Sequence, residues 1–142
     1  MSVLVALFVI AAAQEPGAYV WHTAMTNESV QYGLPGTDDR ALRIDCREGQ
    51  LTIAGPSALE VEEGDATSVS FRTSAGEETR RAEAIYLGDG MNFVAPVAAD
   101  DPALAALMRG EPLRVSQGDT WWEVPGEGAP AVLAPLVRGC GR

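Results

Sequence analysis

The residues of this sequence that could carry chemistry are one histidine, two cysteines and four pairs of neighbouring acidic residues. No serine or cysteine nucleophile can be assigned to His22, which follows a tryptophan near the start of the chain. Paired carboxylates could supply a general acid and a general base. Each acidic pair, however, lies in a predicted turn or beside glycine or proline, where acidic residues cap and solubilise; the pairs are Asp38-Asp39, Glu62-Glu63, Glu77-Glu78 and Asp100-Asp101. We therefore expect no catalytic residues and a protein that is not an enzyme.

Phosphate and metal sites are not expected either. Gly88-Asp89-Gly90 lacks the third glycine, the lysine and the following helix of a phosphate-binding loop, so it is predicted to be a hairpin turn. One histidine and a cysteine pair committed to a disulfide leave only carboxylates as metal ligands, and the sequence contains no Asp-x-Asp-x-Asp-Gly loop. We predict no metal and no cofactor.

The adjacent tryptophans Trp121 and Trp122 are the most informative feature. Neighbouring residues of a strand face opposite sides, so we expect Trp122 to face the core and Trp121 to project outward beside Glu123. Arg114 lies on the preceding strand, and a short turn brings its face close to that of Trp121. Exposed tryptophan and arginine are enriched at binding hot spots, which makes Trp121, Arg114 and Glu123 the candidate binding surface. The alternative is that a loop or the N-terminal strand covers Trp121.

The N-terminal segment is apolar from Val3 to Ile10, continues through Ala11-Ala12-Ala13 and ends at Gln14. Such a run with an Ala-x-Ala ending is typical of a secretory signal peptide cleaved near Ala13/Gln14. The run contains no Lys or Arg, and the alternative interpretation is a buried strand or a short core helix. We predict that residues 1–13 are a signal peptide and that residues 14–142 form one periplasmic domain.

The two cysteines are predicted to form a disulfide bond. Oxidising compartments favour structural disulfides over catalytic cysteines. Cys46 shares one face of an alternating segment with Leu42 and Ile44, and Cys140 falls on the apolar stripe of a predicted C-terminal helix. Both sulfurs therefore face the core, and we predict a Cys46–Cys140 bridge. The alternative is a pair of free buried thiols.

The composition of the chain limits the classes of protein to which it can belong. The chain of 142 residues is 46% hydrophobic and 21% charged, which indicates one small globular domain. No apolar run reaches the roughly 18 residues of a membrane-spanning helix. Ten arginines stand against 20 acidic residues, so the formal net charge is −10. This sign opposes binding to nucleic-acid phosphates, and we expect neither a nucleic-acid partner nor a membrane span.

The fold class predicted from these patterns is mainly β, with about seven or eight short strands in a β-sandwich or a partly open barrel. One expected strand covers residues 79–87 after a turn at Gly76-Glu77-Glu78. Two short helices interrupt the strands. The first is capped by Asp100 or Asp101 and has Pro102 at its first position, and the second covers about residues 130–138.

Four segments of the chain resemble the VasI/TagO family of periplasmic proteins associated with type VI secretion systems. They are Trp21 with residues 24–30, residues 42–51, residues 69–72 and residues 133–141. The family likewise pairs a strand cysteine with a cysteine near the C-terminus, and the likeness extends over residues 19–142. The resemblance implies a small disulfide-stapled β fold, a periplasmic location and an accessory role. It carries no catalytic residue over to this chain.

Two functions are consistent with these observations. The first is an exported, non-enzymatic accessory or binding protein whose partners are proteins of the cell envelope or of a type VI secretion machine. The alternative is an acidic periplasmic inhibitor of a basic enzyme such as a lysozyme or a protease, because a charge of −10 would steer it onto a cationic partner.

The signal peptide generates a direct prediction. Expression of the whole chain in a Gram-negative host should yield a periplasmic product whose N-terminus lies at or next to Gln14, because the Ala-x-Ala sequence precedes that residue. N-terminal sequencing of the periplasmic fraction measures the cleavage site. An uncleaved product in the cytoplasm would show that residues 1–13 are not an export signal.

Overall fold

The computed structural model describes residues 18–24, 26, 28–88 and 90–141. The predicted signal peptide, residues 1–13, lies outside these residues. The described part of the chain forms nine strands and two helices. In chain order they are β1 (Val20–Thr23), β2 (Ser29–Gly33), β3 (Arg40–Arg47), β4 (Gln50–Pro56), β5 (Ala66–Thr73), β6 (Gly76–Tyr86), β7 (Met91–Val97), α1 (Pro102–Met108), β8 (Leu113–Gln117), β9 (Thr120–Val124) and α2 (Ala129–Gly139).

All nine strands belong to one antiparallel sheet with the order β1-β2-β3-β4-β7-β6-β5-β8-β9. The sheet curls into a half-barrel, so the strands form an open barrel and not two packed sheets. The predicted fold class, mainly β with two short helices and one disulfide, is confirmed. The strand order itself follows from two long-range pairings, β4 with β7 and β5 with β8.

The hydrophobic core lies inside the curl. Alternate residues of each strand point inward and are buried, as Leu42 and Ile44 are on β3. The curl brings distant strands into contact, because the ring of Phe93 on β7 lies 6.2 Å from that of Phe71 on β5 and 6.5 Å from that of Trp122 on β9. Trp122 also donates a hydrogen bond from Nε1 to the carbonyl oxygen of Ala41 on β3, at 3.2 Å.

The two ends of the sheet meet at α2. Trp21 of β1 is buried and donates its indole Nε1–H to the carbonyl oxygen of Pro125, which follows β9, at 2.7 Å. Helix α2 packs against β1, β2 and α1, and it buries Leu133 completely. The helix therefore covers the core beside the first two strands. In the part of the chain that the structure describes, neither helix is long and apolar enough to cross a membrane.

The start of α1 follows the predicted capping pattern. Asp101 is the N-cap, its Oδ1 accepts a hydrogen bond from the amide of Ala103 at 2.9 Å, and Pro102 occupies the first turn. The other carboxylate oxygen of Asp101 accepts from Arg80 Nη2 at 2.7 Å, which ties the helix to β6. The capping residue is thus the second of the two predicted aspartates.

The start of β6 differs from the prediction. The strand begins at Gly76 and includes Glu77 and Glu78, whereas the sequence pattern predicts a turn over these three residues. The turn lies at residues 74–75, and Thr73 pairs with Gly76. The acidic residues face solvent along the hairpin, so their composition resembles a turn although their backbone is extended.

The predicted disulfide is present. Cys46 near the end of β3 is bonded to Cys140 directly after α2, with their Cα atoms 5.7 Å apart and 94 positions apart in sequence. Closing a loop of this length contributes about 4 to 5 kcal/mol in the chain-entropy model. The bond attaches the helix that covers the core to the third strand of the sheet.

Removing the disulfide should lower the free energy of unfolding. We expect the double variant Cys46→Ser, Cys140→Ser to lose about 2 to 5 kcal/mol, because its unfolded chain is no longer constrained. Urea denaturation followed by tryptophan fluorescence measures the change. Reductant should destabilise the native protein to a similar extent and leave the double variant unaffected. Equal urea midpoints for the oxidised native protein and the double variant would contradict the stabilising role.

Candidate functional site

The candidate site is built on the hairpin of β8 and β9. A tight turn at Gly118 and Asp119 joins the strands, and Gly118 adopts a φ of +56°. The register places Ser116 opposite Trp121 and Arg114 opposite Glu123. All four of these residues therefore lie on the outer face of the curled sheet, with Trp122 and Val124 on the inner face.

The two adjacent tryptophans take opposite orientations, as the alternation predicts. Trp122 packs against Phe93 and bonds to Ala41 inside the curl. Trp121 is 55% exposed, which makes it one of the few large hydrophobic side chains on the described surface. No described loop or strand covers it, so the indole is available to a partner.

Arg114 lies directly on the indole of Trp121. Its guanidinium carbon is 3.8 Å from the ring centroid, which is a cation–π contact worth about 0.5 to 1 kcal/mol at an exposed position. Although Arg114 is opposite Glu123, the two side chains form no ion pair among the described residues. The guanidinium stacks on the ring instead. The arginine therefore fixes the orientation of Trp121.

A row of four charged residues, two arginines between two glutamates, crosses four strands beside Trp121. Glu123, Arg114, Arg72 and Glu77 are consecutive partners on β9, β8, β5 and β6. Next to this row is a shallow cleft of about 540 Å³, which is lined by Arg72, Thr73, Ser74, Glu111, Pro112, Arg114 and Glu123. The surface around Trp121 therefore offers both positively and negatively charged side chains for hydrogen bonds with a partner.

Glu111 forms a fixed negative edge of this cleft. Its carboxylate accepts hydrogen bonds from Arg109 Nε at 2.8 Å and from Ser74 Oγ at 2.9 Å. These bonds, with that from Arg109 the larger contribution, lower the pKa of Glu111 below its usual value. The carboxylate therefore remains charged at every pH at which ordinary glutamates are charged.

Strand β9 is also a free edge of the sheet. In a hairpin with a two-residue turn, Gln117 and Thr120 form a hydrogen-bonded pair, as do Val115 and Trp122. The backbone N–H and C=O groups of Trp121 and Glu123 therefore point away from β8, and no other described strand pairs with them. Helix α2 packs against β1, the strand at the opposite edge. An exposed edge of this kind can accept an extended segment of another protein.

The other candidate residues are not brought into a catalytic arrangement. The Nδ1 of His22 lies 3.0 Å from the carbonyl oxygen of Val20, and its Nε2 lies 3.1 Å from the amide nitrogen of Gln31. In the acidic pairs, Asp101 caps α1, Glu78 pairs with Arg80, and Asp39 accepts from Tyr19. Gly88 and Gly90 lie in the turn between β6 and β7. Within the described residues, no group of three or more potential ligands could hold a metal ion.

One polar cluster was not predicted. Buried polar side chains gather on the outer face of β2 and β3, where Ser29 and Gln31 alternate with an inward valine and Asp45 pairs with Arg43. The alternation of polar and apolar residues predicts their face, but an outer face normally implies exposure. Residues of the neighbouring loops line the cleft above these side chains, and a single sequence carries no signal for that packing.

Comparisons with protein-family models, curated proteins and solved structures gave no match to this chain. The interpretation of the site therefore depends on its geometry.

The opposite orientations of the two tryptophans predict different effects on stability. Trp122→Ala should lower the free energy of unfolding by about 3 to 5 kcal/mol, because it leaves a cavity against Phe93 and removes the bond to Ala41. Trp121→Ala should cost less than about 1 kcal/mol, since it removes only the contact with Arg114. Thermal melts of the two variants measure the difference. Equal losses of stability would contradict the assignment of Trp121 to the surface.

Proposed function

We propose that this protein is an exported, non-enzymatic periplasmic protein that binds a partner protein of the cell envelope or of a type VI secretion machine. The observation that carries the proposal is the exposed Trp121, oriented by Arg114 on a free sheet edge. Tryptophan and arginine are the residue types that contribute most to protein–protein binding energy. A large indole held in one orientation also loses little conformational entropy on binding.

The binding mode that fits this geometry is strand addition along β9. An extended segment of the partner would form hydrogen bonds with the outward backbone groups of Trp121 and Glu123. Alternate side chains of that segment would lie over the outer face, against the indole and beside the row of Glu123, Arg114 and Arg72. The backbone bonds would supply affinity, and the indole with its neighbouring charges would supply specificity.

Two further observations support the periplasmic location. The Cys46–Cys140 disulfide is compatible with an oxidising compartment. The apolar segment of residues 1–13 has the composition of an export signal. The resemblance to the VasI/TagO family would assign the partner to a type VI secretion system.

Inhibition of a basic enzyme is the second candidate function, and the charge of the protein favours it. The formal net charge is −10, and exposed carboxylates flank Trp121 at Asp119, Glu123 and Glu127. This field would accelerate association with a cationic lysozyme or protease, and salt would weaken it. Both functions use the same surface, but they differ in the chemistry of the partner.

Site-specific photo-crosslinking tests the binding surface. A photoreactive amino acid at position 121 should crosslink to one specific envelope protein in living cells, because the partner covers that side chain. The same amino acid at Tyr86, which is 56% exposed at the end of β6, is the matched control. Mass spectrometry identifies the crosslinked protein. Equal labelling patterns from the two positions would mean that the surface around Trp121 is not a binding site.

A muramidase assay at low and at high salt distinguishes the two functions. If the protein is an inhibitor, it should inhibit a basic lysozyme at low ionic strength and lose potency as salt is added, since long-range attraction between opposite charges is screened. If the protein is an envelope accessory factor, it should leave the lysozyme active at both salt concentrations. Inhibition abolished by Trp121→Ala would favour the inhibitor function.

A further inference from the structure

The buried polar cluster on the outer face of β2 and β3 is unusual for its position. The described residues include seven buried polar or charged side chains, and four of them lie in this cluster: Ser29 (2% exposed), Gln31 (6%), Arg40 (8%) and Asp45 (9%). Polar groups lose hydration when they are buried, and proteins compensate by giving them hydrogen-bond partners. Such a cluster of buried polar side chains on the outer face of a sheet indicates a binding site for a polar ligand.

A bulge directs one of these side chains into the cluster. The register between β2 and β3 shifts between Tyr32 and Gly33, so that Gly33 pairs with Arg40 and Ala41 has no partner. Without this shift, Arg40 would share the inward face of Leu42. A side chain on Gly33 would bring its Cβ within 2.7 Å of the backbone of Arg40, so this approach requires glycine. The bulge and the glycine at position 33 together direct the side chain of Arg40 to the outer face.

The cluster opens into a cleft of about 490 Å³. The polar side chains that line it include His22, Ser29, Gln31, Asp38, Arg40 and Arg43. The cleft lies over the first three strands, whereas the surface around Trp121 lies on the last two strands at the other end of the sheet. It is therefore a separate site.

Two residues that line the cleft carry donor groups without a hydrogen-bond partner among the described residues. The hydroxyl oxygen of Ser29 is buried and has no hydrogen-bond partner among the described residues, which is a costly arrangement unless a ligand completes it. Arg43 donates from Nε to Asp45 Oδ1 at 2.8 Å, and this bond orients its guanidinium. The terminal amino groups of Arg43 make no hydrogen bond within the described part of the chain. Both groups can donate to an oxygen atom.

The remaining polar groups set the charge of the site. His22 Nδ1 lies 3.0 Å from the carbonyl oxygen of Val20 and its Nε2 lies 3.1 Å from the side-chain amide nitrogen of Gln31, so both ring nitrogens already have a protein partner. Arg43 forms an ion pair with Asp45, and Arg40 and Asp38 line the same cleft. A site with paired charges and free donors suits a ligand with a single negative charge better than one with two.

We propose that this cleft binds a small molecule or a peptide terminus through one carboxylate group. The carboxylate oxygens accept hydrogen bonds from the terminal amino groups of Arg43 and from the hydroxyl of Ser29, which are the two sets of available donors. Asp45 and the glycine-dependent bulge position the arginines but do not contact the ligand. This site is independent of the binding surface at Trp121.

A ligand titration with matched compounds tests this proposal. N-acetylalanine carries one carboxylate, and N-acetylalaninamide has nearly the same shape without the charge. In a titration of the isotope-labelled protein at constant ionic strength, N-acetylalanine should cause saturable shifts of the amide signals of Ser29, Gln31 and Arg43. The amide compound should bind at least tenfold more weakly, because it cannot form charge-assisted hydrogen bonds. Equal binding of the two compounds, tighter binding of inorganic phosphate, or no saturable shift with N-acetylalanine would overturn the proposal.

The variant Ser29→Ala separates a ligand-binding role from a structural one. Its thermal midpoint should be equal to or above that of the native protein, because the substitution removes a buried hydroxyl without a partner. Its affinity for N-acetylalanine should fall about tenfold, since a hydrogen bond to a charged group is lost. Ser68→Ala, at an exposed serine on the outer face of β5, is the matched control and should leave the affinity unchanged. A lower thermal midpoint with unchanged affinity would make Ser29 a structural residue and refute the proposal.

Discussion

Two indole N–H groups connect the opposite ends of the curled sheet. Trp21 on the first strand donates to the carbonyl oxygen of Pro125 after the last strand, and Trp122 on the last strand donates to that of Ala41 on the third. Each bond satisfies a buried polar group and crosses the opening of the half-barrel. The curl that they hold encloses the apolar side chains on one face and makes the other face convex. Because that outer face is convex, its two ends point in different directions and can contact two different ligands.

Helix α2 and the disulfide complete the enclosure of the core, to which the two indole hydrogen bonds also contribute. An open sheet of nine strands leaves its core accessible along one side, and α2 covers that side with Leu133 and its apolar neighbours. The bond between Cys46 and Cys140 prevents the helix from detaching, since it attaches the end of α2 to the third strand. The chain buries few large aromatic side chains, so a covalent attachment is a substantial part of the stability of so small a core.

Local patterns predicted much of this structure. The alternation of residues placed Trp121 and Trp122 on opposite faces and Cys46 toward the core, because the side-chain period of a strand is independent of its neighbours. The cap of α1 at Asp101 likewise depends on residues within one turn of the helix. The hairpin also placed Arg114 on the same face as Trp121, but the stacking of its guanidinium on the indole was not predicted.

Features that depend on distant residues could not be predicted in this way. The pairing of β4 with β7 and of β5 with β8, and therefore the strand order, joins segments far apart in the chain. The same holds for the burial of Ser29, Gln31 and Asp45, because residues on an outer face become buried only when loops fold over them. The bulge at Gly33 and Arg40 shifts the alternation of β3, so a strict period of two places Arg40 on the wrong face.

The strand order also determines when the domain can fold. The first four strands form a local meander, but β4 receives its second neighbour, β7, only after the chain has passed through β5 and β6. Strand β5 can pair with β8 only after that later strand has been synthesised. Cys46 likewise can bond only to Cys140, which lies 94 positions further along the chain. Contacts over such distances in sequence carry a large loop-closure entropy and slow the folding reaction. A chain of which only the first half has been synthesised therefore lacks most of its native core, and the sheet and its covering helix can be completed only after α2 has emerged.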